Sequence, residues 1–351
     1  MQVITDLKEN KWHNLKEAGA YEWWYFDGID EDEEFSFVAI FYAGNPFSPD
    51  YNIRTLDHLK SPEIQKPDAL NFCAVSFNLY QKGRVLYRII FEYEKNKFVV
   101  QNSLGSEKFC FDKSNFYFDE TANKFYLNIN LSTSDLNNKF KAEFIFSVRS
   151  KTVSVNKTSG KMGNHFWLPS ASVCDVEGKF KFYKDFKRRK TGFIGLGYHD
   201  HNWGREALFQ NVKDWYWGRV ISEEYSVVYF YVVYTGKQKE SFKKIIIFKN
   251  GKQISQIDDF KIRLKNKKNY WLLNYNKKIV IDAGEYKLNC RNETKIDNGP
   301  FYIRFLSKND FTIKDNIVLK NAVGFSEYIN PQRLTSGFLK PFVKMRIKRI
   351  S

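Results

Sequence analysis

The chain has 351 residues, 18% of them aromatic, and its 56 lysines and arginines outnumber 40 aspartates and glutamates. That length excludes a single small domain and suits two domains or one large sheet protein. The positive balance favours anionic partners such as phospholipid headgroups, nucleic acid or an acidic protein, and does not choose among them.

Residues 1–20 hold no continuous apolar stretch, so no secretory signal is expected, and no later run is long enough to span a bilayer. The chain is accordingly expected in the cytoplasm. Short alternating runs then recur: Phe35 to Tyr42, Phe72 to Tyr80, Val85 to Tyr93, Phe98 to Asn102, Phe125 to Leu131 and Phe140 to Val148. The style resumes in Ser226 to Tyr234, Lys243 to Lys249, Lys252 to Ile257 and Asn269 to Tyr275, with Asn250-Gly251 as a type I′ hairpin signal. Period-2 runs separated by turn residues predict an all-β chain of antiparallel strands, a class that also suits the aromatic content. The acidic run Asp27 to Glu34 is expected to form a solvated hairpin turn, since it lacks the ligand spacing of a calcium loop. Gly44 to Ala69, with Pro46, Pro49, Pro62 and Pro67, is expected to be a loop acting as a lid, with one short helix over Asp57 to Gln65.

Lys187-Arg188-Arg189-Lys190 and the glycines at 192, 195 and 197 interrupt the strand pattern near mid-chain. Two barrel-like domains, residues 1–204 and 205–351, are expected to meet there. The glycines do not have dinucleotide-binding spacing. Cys73, Cys110, Cys174 and Cys290 are far apart, with no Cys-x-x-Cys pair, and are expected to be free, buried thiols.

Gly197-Tyr198-His199-Asp200-His201-Asn202-Trp203-Gly204 is the densest chemistry in the chain, with two of its five histidines. If extended, it places Tyr198, Asp200 and Asn202 on one face and His199, His201 and Trp203 on the other. Such residues can line a site or merely tie strands together. An H-x-H metal pair is a further option, but His13, His58 and His165 are scattered and no third ligand is evident, so no metal is expected. Glu22 and Glu327 become candidate acids if buried.

Three further segments accompany this motif: Glu22-Trp23-Trp24-Tyr25-Phe26-Asp27-Gly28, Asp214-Trp215-Tyr216-Trp217-Gly218-Arg219 and Gly324-Phe325-Ser326-Glu327-Tyr328. Together the four resemble the carotenoid 1,2-hydratase (hydroxyneurosporene synthase-like) family, which includes AttH proteins and is related to lipocalin-like fungal enzymes of intramolecular Diels–Alder cyclisation. The resemblance implies two lipocalin-like antiparallel β-barrel domains with a cavity at or near their junction and no cofactor. It also links His201 and Trp203 to activity. In the hydratases a tyrosine and an aspartate follow on a later strand; here Tyr229 remains within Val227 to Val233, but the acid is missing.

Hydrating or cyclising an isolated alkene requires protonation of carbon, hence a strong acid shielded from water and a surface that stabilises a carbocation. Trp and Tyr faces can do the second. The expected function is therefore a cofactor-independent cyclase, isomerase or hydratase of a lipophilic isoprenoid or polyene. A non-catalytic carrier of such a molecule is the alternative. His201, Asp200 and Tyr198 are the expected catalytic residues; a pericyclic variant would need only a donor such as Tyr198, Asn202 or His201. Trp203, Trp23, Tyr25, His199, Asn202, Trp215, Trp217 and Tyr229 are expected to line the substrate. No nucleic-acid motif accompanies the basic charge. The run Phe338 to Ile350 mixes apolar and basic residues and could rest on an anionic membrane or form a terminal strand.

Overall fold

The computed structural model describes residues 1–103, 106–132, 139–150, 163–184, 187–236, 240–270 and 272–350. Its contacts divide the chain into two compact units, Met1–Lys82 with Leu86–Glu206 and Arg346–Ser351, and Gly83–Val85 with Ala207–Met345. The C-terminal end thus returns to the first unit, where Ile347–Ile350 pairs in parallel with Arg84–Tyr93. Among the described residues no helix is long and apolar enough to cross a membrane.

The first unit contains a thirteen-stranded sheet made of two antiparallel meanders and two short strands, Gln2–Val3 and Ile347–Ile350, that pair in parallel. One meander runs from Tyr21–Asp30 to Arg84–Tyr93, the other from Phe98–Ser103 to Lys187–Gly204. They join where the first strand of one, Tyr21–Asp30, pairs with the last strand of the other, Lys187–Gly204. The sheet curls strongly around one core: Trp24 lies 4.7 Å from Phe109, and Phe26 lies 5.4 Å from Phe116 and 5.7 Å from Phe125, although these strands are not hydrogen-bonded neighbours. Phenylalanine at every second position fills this interior, as in Phe140, Phe144 and Phe146.

The second unit repeats the plan with nine strands. One meander runs from Val212–Ile221 to Lys252–Ile257 and the other from Lys261–Tyr270 to Asn316–Ile329, again joined first strand to last. Its core includes Tyr216, Tyr229, Ile279, Phe305 and Tyr328. The Asn250-Gly251 turn has the expected form, with φ of 49° and 72° between the paired Lys249 and Lys252.

Several expectations are corrected. The glycines at 192, 195 and 197 do not break the chain; they lie inside one continuous strand, Lys187–Gly204. A Cβ at Gly195 would stand 2.1 Å from the Ile29 carbonyl oxygen, and one at Gly197 would stand 2.5 Å from that of Asp27. These glycines allow the seam strands to approach closely. The helix of the proline-rich stretch spans Pro49–Lys60, earlier than expected, because Pro49 fits the first helical turn and Pro62 follows its end. That stretch is also anchored, with the buried Tyr51 hydroxyl donating to the Ala20 carbonyl at 2.7 Å. The turn after Tyr21–Asp30 forms as expected, but Asp27 is fully buried within the strand. Cys73, Cys174 and Cys290 are buried free thiols, whereas Cys110 is half-buried.

Candidate functional site

The seam between Tyr21–Asp30 and Lys187–Gly204 sets the geometry of the central motif. Its register pairs Trp203 with Glu22, His201 with Trp24 and His199 with Phe26. Directly opposed residues share a face, so Glu22, Trp24 and Phe26 join the two histidines and Trp203 on the inner side of the curled sheet. Asp200, Tyr198 and Asn202 share the outer side with Trp23, Tyr25 and Asp27.

On the inner side, the Glu22 carboxylate is buried and shared by two histidines. His201 Nε2 lies 2.9 Å from Glu22 Oε1, and His13 Nδ1 lies 2.8 Å from the same oxygen. The His13 backbone N–H donates to both carboxylate oxygens at 3.2 Å. His13 Nε2 in turn faces Glu9 Oε2 at 3.2 Å. His201 stacks on Trp24 with centroids 4.6 Å apart, and Trp203 is sandwiched by His13 at 4.0 Å and Phe166 at 5.3 Å. Burial raises the Glu22 carboxyl, but the hydrogen bonds and charges of His13 and His201 outweigh it and hold the group below its ordinary value. Burial lowers His201 below the usual imidazole value, while Glu22 and the Glu9 backbone oppose that shift. Its Nδ1 is buried and makes no well-formed hydrogen bond, although the Glu9 backbone acts on the ring.

His199 is held differently. Its Nδ1–H donates to the Tyr25 carbonyl at 2.9 Å, which leaves Nε2 to accept from Asn10 Nδ2 at 3.4 Å. Packed on Phe26 and Phe125, with centroids 4.0 and 4.4 Å away, it is pushed down to about 3 by burial and stays neutral. The indole Nε1 of Trp24 and Asn10 Oδ1 are also buried without a partner around these two histidines.

On the outer side, Asp200 accepts hydrogen bonds from Trp167 Nε1 at 2.9 Å and from the Tyr198 hydroxyl and Asn202 Nδ2, each at 2.8 Å. Tyr25 donates to Asp27 at 3.0 Å. Asp200 and His201 occupy opposite faces of one strand, as alternation predicts, and the acid that meets His201 is Glu22. Tyr198 and Asn202 go with Asp200, as do Trp23 and Tyr25, while His199 and Trp203 go with His201.

In the second unit, Trp215, Trp217 and Arg219 share the outer face of their strand, with the Arg219 guanidinium 4.9 Å from the Phe325 ring centroid. Tyr229 faces the inner core, where its hydroxyl meets Cys290 Sγ at 3.7 Å and burial keeps it strongly protonated. It is thus not brought together with those tryptophans. Glu327 pairs with Arg304 Nε at 2.7 Å and accepts from the Tyr302 hydroxyl at 3.1 Å, as a structural ion pair would.

One participant, His13, escaped sequence reasoning, because it sits in a segment without periodicity. Trp167, in a strand beginning at His165, pairs with Asn202 in the folded register and reaches Asp200 through its indole. His13, Glu22 and His201 also form, among the described residues, a group whose ligand atoms lie within 4.8 Å of one another, so the expectation of scattered histidines with no third ligand is corrected. The 2.8 and 2.9 Å separations suit hydrogen bonds; ligand atoms around a cation bound at about 2.1 Å would stand roughly 3.0–3.4 Å apart.

The family model of carotenoid hydratase CrtC matches residues 40–351. A Chlorobaculum tepidum protein described as hydroxyneurosporene dehydrogenase is 28% identical over 357 residues, 99% of this chain and 92% of its own. An acyclic carotenoid 1,2-hydratase of Thiocapsa roseopersicina is 26% identical over 204 residues, which is 57% of this chain and 44% of the hydratase. Among solved structures, CghA with Sch210972 superposes with a TM-score of 0.64 at 10% identity, covering 89% of this chain and 88% of its own. The all-β architecture of two lipocalin-like units is shared with that structure. With the match spanning most of its length, this chain belongs to the carotenoid hydratase CrtC family.

Proposed function

We propose that the chain is an enzyme acting on a lipophilic isoprenoid or polyene by proton-initiated cyclisation, isomerisation or hydration, with His201 as proton donor and Glu22 as the carboxylate that orients it. Membership of the carotenoid hydratase family supports the substrate class. The observation that carries the residue assignment is His201 itself: buried, fixed through Nε2 by Glu22, with no side-chain partner at Nδ1 among the described residues and Trp24 stacked on its ring.

Burial makes the His201 imidazolium a stronger acid than free imidazolium, and the Glu22 carboxylate opposes that shift. Proton transfer from Nδ1 to an alkene carbon forms a C–H bond and leaves a carbocation and a neutral His201 bonded to the Glu22 carboxylate. The indole of Trp24, beside the His201 ring, can stabilise that cation by about 1–2 kcal/mol when desolvated. Loss of a proton from a neighbouring carbon completes isomerisation or cyclisation; capture of water followed by deprotonation completes hydration. Either route returns one proton to Nδ1, so no electron carrier is consumed. Asp200, which accepts from three donors, and Tyr198, which is one of them, are assigned to holding the outer face of the strand. A substrate of this class dissolves in membranes, so contact with an anionic bilayer belongs to the same reading.

Wild type, His201→Ala and Glu22→Gln are to be incubated with an acyclic carotenoid in detergent micelles and products followed by chromatography and mass spectrometry. Wild type is expected to convert it, and each variant to lose roughly 10²–10⁴-fold. Tight binding without conversion by wild type would replace this reading with a carrier.

A further inference from the structure

We infer that one end of the second unit, centred on Leu272 and Phe338, is a docking surface for an anionic bilayer. The inference rests on the lipophilic-substrate reading only for its purpose; the surface is read from the side chains. Leu272 lies in the turn between Lys261–Tyr270 and Leu273–Ala283, at φ 60°, and is 71% exposed. A bulky L-residue in left-handed backbone is disfavoured, and projecting its apolar side chain into water gains nothing for folding. The conformation is nonetheless held, with Arg333 Nη1 donating to the Leu272 carbonyl at 2.9 Å.

Phe338, 73% exposed, lines the same cleft of ≈ 860 Å³ as Leu272. Lys213, Lys267 and Arg333 also line it, against one carboxylate, Asp214, which accepts from the Tyr328 hydroxyl at 2.7 Å. Beyond the cleft, Phe342 packs 6.0 Å from the Phe338 ring, and Met345, 83% exposed, follows the short helix Lys340–Lys344. Projecting apolar side chains among cations match a bilayer surface, where the first can enter between headgroups and the second meet phosphates. A surface built for nucleic acid would use the cations but has no need of exposed aliphatic tips.

The test is cosedimentation of the full chain with vesicles of phosphatidylcholine mixed with phosphatidylglycerol, with phosphatidylcholine alone, and in parallel binding to a single-stranded oligonucleotide. Wild type is expected to bind the mixed vesicles at least about tenfold more tightly than the neutral ones, less so as salt rises. The double variant Leu272→Asp, Phe338→Asp should lose about tenfold or more in vesicle affinity while melting normally and converting micellar substrate unchanged. Leu272→Gly supplies a signature that a purely structural turn would not: a raised melting temperature, because glycine accepts the positive φ, together with weakened vesicle binding. Wild type left in the supernatant, a double variant that binds as wild type, or preference for the oligonucleotide over the vesicles would each overturn the inference. The vesicle assay needs no substrate, so a failed turnover experiment and a failed docking experiment remain distinct.

Discussion

The two units follow one plan and use it differently. Each joins two antiparallel meanders along a seam of first and last strands, Tyr21–Asp30 with Lys187–Gly204 in one and Val212–Ile221 with Asn316–Ile329 in the other. Each seam carries an aromatic motif. The inner side of the first seam buries Glu22, His199 and His201, whereas that of the second presents Tyr216 and Tyr328, with centroids 4.8 Å apart, and no titratable pair of that kind. Glu327, an acid of the second seam, has the opposite parity and faces outward to Arg304, while Asp214 at the end of the other seam strand accepts from the Tyr328 hydroxyl. A position in the topology therefore does not make a site; one step of strand alternation decides whether an acid meets a histidine inside or an arginine outside.

Four outcomes would break or sharpen this contrast. The largest is His201→Ala, expected to lower turnover by roughly 10²–10⁴-fold while unfolding stays cooperative in urea. Full activity in the folded variant would remove His201 from the chemistry. Next, Glu327→Gln should cost about 1–3 kcal/mol of stability by replacing the charged hydrogen bond from Arg304 Nε with a neutral one, with turnover per folded molecule unchanged. Loss of turnover at unchanged stability would make the second seam catalytic as well.

The third concerns acid. His199 has a folded value depressed to about 3, below the ordinary 6.5, so its contribution to stability is complete above 6.5 and is lost as pH falls toward 3. His201 is depressed in the same direction, and Glu22, also lowered, adds loss below the ordinary carboxylate value. Urea unfolding should show stability falling by up to about 1.4 kcal/mol per pH unit for each such histidine, and His199→Phe should flatten the slope by one histidine's share. An unchanged slope would mean His199 is not buried neutral. The smallest expected effect is that of dialysis against a chelator, which should leave turnover as it was. Activity that vanished and returned with a divalent cation would turn His13, Glu22 and His201 into ligands.

Alternation alone correctly separated Tyr198, Asp200 and Asn202 from His199, His201 and Trp203, because strand parity is a local property. It could not name the partner of His201, since Glu22 is 179 residues away and meets it only through the seam register. Asp200, the nearest acid in sequence, lies on the opposite face by the same alternation. His13 was illegible for a related reason: the turn and coil around it carry no period, and only packing on Trp203 brings it in. The glycines at 195 and 197 were visible, but their small size serves close strand approach here, and sequence does not distinguish that from a break. Hairpin punctuation such as Asn250-Gly251 was fully legible, because positive φ is a demand of the turn itself.

The central claim is that a proton passes from the His201–Glu22 pair to a carbon of the substrate. Turnover of an acyclic carotenoid in D2O, with the product analysed by mass spectrometry, tests it most directly. The account predicts one solvent deuterium bound to carbon in each product molecule, and none in material incubated with His201→Ala. Product formed at the wild-type rate without deuterium at carbon would contradict it and leave a pericyclic closure in its place.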